Sequence, residues 1–233
     1  MDSIDNNIID IKFYNNETYL LKKNSITSSK IEKIISKYSY SGEKLIKDEL
    51  VENSKLPPFI TIFYKFIFEK DNIPTEEELF NYYLISYYDT INDKECIIKK
   101  SLSDIYCNQT LNINGIKARL LRSYPSFIRD FHFYCLCSES NLFSKVVYSL
   151  NTDYFDGYDL LIDYKGNRYA VSLFIETNRG NYYKYRKQNR HKYDQYKEII
   201  LKINKSECKN VGRFYLYTPE HVKNLLDSLN NNI

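Results

Sequence analysis

Residues 158–176 constrain this chain more than any other stretch. They read Y-D-L-L-I-D-Y-K-G-N-R-Y-A-V-S-L-F-I-E, two apolar, aromatic-rich runs on either side of Lys165-Gly166-Asn167. Strand formers flanking a short glycine-containing turn spell a β-hairpin, which sets a sheet at the centre of the C-terminal half. Acidic residues sit on the predicted strands at Asp159, Asp163 and Glu176. Directly behind them, residues 179–192 carry six Lys or Arg, one His and no acid. Carboxylates hold a hard cation such as Mg²⁺ and neighbouring cations hold phosphate. Acid set against base in this way is the requirement of a metal-dependent phosphodiesterase site.

Around this centre the elements follow in order. Residues 8–22 read as two short strands about Asn15-Asn16, and 28–38 and 42–53 carry helical spacing. Pro57-Pro58 ends that pattern. The run 59–68, F-I-T-I-F-Y-K-F-I-F, is a buried strand or a buried helix, between which periodicity does not choose. Thr75 followed by Glu76, Glu77 and Glu78 spells a capped helix start, with the helix running to about residue 88. Residues 89–114 are polar and irregular and mark the expected boundary between an N-terminal α-rich domain, 1–114, and a C-terminal domain, 115–233. In the second domain a helix opens at Tyr124-Pro125-Ser126, with strands at 143–150, in the hairpin, at 199–203 and at 212–217. A basic helix at about 181–197 and a last helix opened by Thr218-Pro219-Glu220 complete an order α-β-β-β-α-β-β-α, and hence an α+β fold.

Composition removes several alternatives. The chain's 233 residues suffice for one well-cored domain or two smaller ones. With 43% hydrophobic and 27% charged residues, and no apolar run near the roughly 18 residues of a membrane span, a soluble cytoplasmic protein without membrane contact is expected. Met1-Asp2-Ser3-Ile4-Asp5 is acidic and unlike a signal peptide. Five cysteines with no C-x-x-C argue against both a disulfide framework and a zinc site. The net charge of +3 decides nothing by itself; its distribution matters more. Tyrosine is abundant at 24 residues, but together with the Ile, Asn and Lys content it follows from AT-rich codons, so it is not counted as base stacking. Phosphate-binding, dinucleotide, zincin and nucleophile-elbow motifs are absent.

The element order, with an acid opening the second strand and another on the third, resembles the core of the PD-(D/E)XK nuclease superfamily over about residues 116–231. The resemblance implies a restriction-endonuclease-like αβββαβ core behind a mainly helical N-terminal domain. It implies Mg²⁺ or Mn²⁺ held by Asp159 and Glu176, with Asn178 standing where the family has a lysine. A cation from the next helix, among Arg179, Lys184 and Lys187, would then stabilise the phosphate. Arg186, Arg190 and His191, with Arg122 and Arg129 of the first helical region, are candidate contacts to the nucleic-acid backbone. Arg119 is a further one, and Asp130 or Glu139 would add a carboxylate. The implied activity is DNA phosphodiester cleavage, in a restriction, anti-phage defence or transposition setting, with DNA, a partner subunit or a second copy of the chain as partners.

Geometry bears on the acid pair. If Gly166-Asn167 form a two-residue loop, Asp159 faces Phe174 and the two carboxylates are diagonal neighbours; a three-residue loop sends Glu176 to the opposite face. Two other readings stand beside the enzyme. One is an inactive nuclease fold that binds nucleic acid or scaffolds a partner, and the other is a protein-interaction module using the basic helix. His132 is read as structural and His221 as a surface residue.

Overall fold

The computed structural model describes residues 8–12, 18–22, 26–150, 152–153, 157–176 and 196–231. Among them it is a mixed α+β protein of helices and several small sheets, divided into two units. One unit is the segment 37–127; the other joins residues 1–36 to 128–233. The expected boundary at 114/115 falls instead within a helix, Ile113–Leu121.

In the 37–127 unit, helices α2 (Glu49–Asn53), α3 (Phe59–Lys70), α4 (Glu76–Tyr87) and α5 (Ile113–Leu121) accompany a small antiparallel sheet. The 59–68 run settles as helix: α3 is 12 residues long, buries side chains all round and ends at Asp71 in the left-handed conformation. Rings join it to α4, with Phe59 against Tyr83 at 5.0 Å and Phe66 against Tyr82 at 5.7 Å. The start of α4 is the capping box that its sequence spells, Glu78 N–H donating to Thr75 Oγ1 and Thr75 N–H to Glu78 Oε2. The polar stretch 89–114 is less irregular than its composition suggests. It contributes most of a three-stranded sheet in the order β3 (Tyr88–Thr90), β4 (Glu95–Ile98), β5 (Leu111–Asn112). Asn112 then caps α5, accepting from Asn114 N–H and Gly115 N–H.

The other unit opens with an antiparallel hairpin, β1 (Ile8–Lys12) and β2 (Thr18–Lys22), followed by α1 (Ser28–Ile35). Helix α6 (Tyr124–Glu139) leads into β6 (Lys145–Val147), β7 (Leu160–Tyr164), β8 (Asn167–Glu176) and β9 (Lys197–Asn204), side by side in that order. β6, β7 and β8 are mutually antiparallel, and β9 runs parallel to β8. A parallel pair requires a crossover connection, and the chain between Glu176 and Lys197 is long enough to make one. The basic helix expected at 181–197 lies outside the described residues except at its end, where Lys197 opens β9. A short hairpin, β10 (Lys209–Val211) and β11 (Phe214–Leu216), precedes α7 (Pro219–Asn230). β10 has no counterpart in the sequence expectation.

Candidate functional site

The central hairpin turns through Lys165-Gly166, both at positive φ (47° and 79°), with Tyr164 paired to Asn167. Such a pair of φ values makes the tight turn whose twist matches the strands. The turn therefore lies one residue earlier than Gly166-Asn167. A shift of two in the pairing keeps Ser172, Phe174 and Glu176 on a common face but moves Asp159 back to the level of Val171 and Ser172. Glu176 stands four residues beyond that level, about 13 Å along the strand at roughly 3.3 Å per residue. The expected diagonal contact between the two carboxylates is replaced by this longer spacing.

Asp159, just ahead of β7, is 7% exposed. Its N–H donates to Val171 O at 3.0 Å and its Oδ2 accepts from Leu173 N–H at 2.6 Å. The carboxylate thus does for β8 what a backbone carbonyl would do if β7 were longer. Beside it lies a charged cluster built from α6. Arg129 Nε donates to Asp130 Oδ1 at 3.3 Å, and the guanidinium lies 5.9 Å from the centre of the Tyr217 ring. Burial opposes the Arg129 charge, but Asp130, Tyr217 and Asp159 together raise its pKa. Tyr217 is fully buried between Phe133 and His221, and its phenol is raised chiefly by burial. Among the described residues its hydroxyl has no hydrogen-bond partner.

Glu176 lies at the exposed end of β8, and Lys202 of β9 approaches its Oε1 to 2.8 Å. Asp163 is consumed by Arg168 directly across the hairpin, in a two-pronged contact of 2.5 and 2.7 Å. Glu139 belongs to a different place: it accepts from Ser28 N–H (2.7 Å) and Ser28 Oγ (2.5 Å) at the start of α1.

The candidate phosphate-binding arginines are corrected by their surroundings. The Arg129 side chain is only 19% exposed and engaged with Asp130. Arg122, 9% exposed, pairs with Glu52 in the 37–127 unit, while Arg119 donates to Ser54 O at 2.8 Å and so holds the end of α2. Arg179, Lys184, Arg186, Lys187, Arg190 and His191, with Asn178, lie outside the described residues. What sequence reasoning missed is Lys202 and Tyr217, each brought in by strand pairing or packing across long separations.

His221 is not a surface residue: it is 3% exposed, and its Nδ1 accepts from Thr218 N–H at 2.8 Å. His132 is fully buried on α6, with Nε2 3.3 Å from Glu32 Oε1; Glu32 in turn meets Lys209 at 2.6 Å. Burial lowers the pKa of both imidazoles, outweighing the nearby carboxylates. A lowered folded-state pKa means that the unfolded chain takes up protons first. Stability is then full above about pH 6.5 and declines as pH falls through the lowered values. Urea unfolding at pH 8, 6.5 and 5.5 should show this decline, and His132→Asn should flatten it; an unchanged slope would contradict the assignment.

Among the described residues no three His, Cys, Asp or Glu side chains are grouped to share a metal ion, and no helix is long and apolar enough to cross a membrane. Compared with known proteins, the chain matches no family model, no curated protein and no solved structure.

Proposed function

We propose that this chain is a metal-dependent nuclease acting on DNA, with a restriction-endonuclease-like αβββαβ core running from α6 to β9. The observation that carries the reading is the sheet: three antiparallel strands behind a helix, a fourth strand parallel to the third, and a buried carboxylate at the mouth of the second. The donor set suits Mg²⁺, which prefers oxygen, keeps several waters and is commonly held by one or two carboxylates together with substrate phosphate. Asp159, fixed by the Leu173 amide, would be one such carboxylate, with substrate phosphate and water completing the shell; Glu176, about 13 Å further along β8, would lie too far away to share its ion. Bound at Asp159, Mg²⁺ would supply an activated water and neutralise charge on the phosphate.

A second reading, an inactive nuclease fold that binds nucleic acid or scaffolds a partner, is favoured by one observation. Both carboxylates already hold protein partners, Leu173 N–H and Lys202. The deciding experiment is cleavage of supercoiled, linear and single-stranded DNA and of RNA with Mg²⁺ or Mn²⁺. Wild type should cut DNA only with metal. Asp159→Ala should lose more than the ~10–100-fold typical of an outer-shell partner. An inert wild type that retains DNA in a salt-dependent manner would replace the enzyme by the binder.

A further inference from the structure

Resting on the nucleic-acid part of that reading, we infer that the outer face of the β10–β11 hairpin, with Tyr215 flanked by Lys205 and Arg213, is a docking surface for single-stranded DNA. Among the described side chains Tyr215 carries the only exposed ring of any Tyr or Phe, at 36%. The abundance of tyrosine says nothing here; the placement of this one does. β11 buries Phe214 and Leu216 and turns Tyr215 outward, opposite the exposed Asn210 of β10. A Cβ at Gly212, the turn residue at positive φ, would touch Ile35 O at 3.5 Å, so the turn rests on the end of α1. The ring is thus held out on a fixed support.

A single exposed apolar residue is ordinary, and what marks this one is its company. Lys205 Nζ lies 4.0 Å from the ring centre, nearer than any other cation to a ring among the described residues, where the next approach is 5.1 Å. Arg213 stands exposed in the turn. From 202 to 213 the one acid among Lys202, Lys205, Lys209 and Arg213 is Glu207, which accepts from Asn204 N–H at 3.1 Å. Lys202 and Lys209 hold Glu176 and Glu32, leaving Lys205 and Arg213 without a carboxylate partner among the described residues. An occupant that meets both the ring and the cations must offer a flat π surface beside a negative charge. A nucleotide does so, base on Tyr215 and phosphate on Lys205 or Arg213. Only a single strand frees its bases for this; a duplex keeps them stacked and presents phosphate.

Fluorescence anisotropy of the full chain in EDTA tests this apart from cleavage. The probes are an oligothymidylate of about 12 nucleotides, within the ~4–16 that such surfaces occupy, a duplex of equal length and a strand of abasic sites. Wild type should prefer the oligothymidylate to both. Tyr215→Ala should weaken that binding about 5- to 150-fold, the loss of one stacked base, with the salt dependence unchanged. Tyr215→Phe should retain most of the affinity. Tyr215→Leu, which keeps an apolar residue on the strand without a ring, should fall with the alanine variant while Tm holds. Lys205→Ala and Arg213→Ala should each lower the slope of log affinity against log salt by about 0.7. Equal wild-type affinity for the abasic strand, or Tyr215→Ala and Tyr215→Leu variants that bind as wild type does, overturns the surface and leaves the nuclease to its own assay. Retention of polyglutamate but not of the oligothymidylate overturns it in favour of an acidic protein partner. Ring-dependent binding by a chain that does not cut with Mg²⁺ removes the enzyme and leaves the surface standing.

Discussion

Arg129→Ala is expected to destabilise the protein by about 3 kcal/mol, the lower end of the ~3–5 kcal/mol found when one partner of a buried ion pair is removed. Three groups look to this guanidinium: Asp130 through a hydrogen bond, Tyr217 through its ring face, and Asp159 through its charge. Without it, Asp130, itself only 20% exposed, loses the hydrogen bond and the charge of Arg129. The lower end applies because the Arg129 side chain keeps 19% of its surface in water. For a chain of this size the loss corresponds to a fall in Tm of roughly 6–12 °C. Arg129→Ala with Asp130→Ala should recover part of it, because the carboxylate that Arg129 neutralises is then gone too. A single-variant loss below about 1 kcal/mol would show that the cluster is solvated and contributes little.

Gly115→Ala is the second large effect, and its sign is informative. Alanine in place of a helical glycine ordinarily stabilises by up to about 1 kcal/mol. Here an added Cβ would come within 2.5 Å of Asp48 Cβ and 3.0 Å of Val51 Cγ2. Neither is the far end of a flexible side chain, so α2 must shift, and with it the Asp48 cap that accepts from Val51 N–H at 3.0 Å. A net loss of about 1–3 kcal/mol is expected from overpacking. Thermal unfolding reads it directly, and Asp48→Gly in the Gly115→Ala background should relieve the clash while costing the cap only a few tenths of a kcal/mol. A rise in Tm for Gly115→Ala would mean that helix propensity prevails and α2 yields freely.

The parts of this fold written in local chemistry were legible. Thr75 and Glu78 announce α4, Tyr124-Pro125 opens α6, and Lys165-Gly166-Asn167 marks the hairpin. The turn was placed one residue late because it requires Lys165 at positive φ, a conformation lysine seldom adopts. Strands of two to four residues, such as β3, β4 and β5, are too short to show alternation against a polar background. Length, invisible to periodicity, separates helix from strand at α3. The candidate site was half legible. Asp159 and Glu176 stood out as acids in strands, but Lys202 joins Glu176 only through parallel pairing, and Tyr217 reaches Arg129 only through packing. Arg122 and Arg129 looked like phosphate contacts because sequence does not reveal that Glu52 and Asp130 wait beside them.

The split composition of one unit also bears on the order of folding. Residues 1–36 and 128–233 belong together although roughly 90 residues intervene. Closing a disordered loop of that length costs about 4 kcal/mol beyond a constant. The inserted segment removes much of that cost by its own structure: near its entry, the Tyr40 hydroxyl donates to Leu121 O at 3.2 Å near its exit. Once residues 37–127 have folded, the two halves of the discontinuous unit emerge as neighbours. Grafting a floppy linker in place of residues 37–127 should therefore slow refolding of the unit formed by 1–36 and 128–233 more than it lowers that unit's stability.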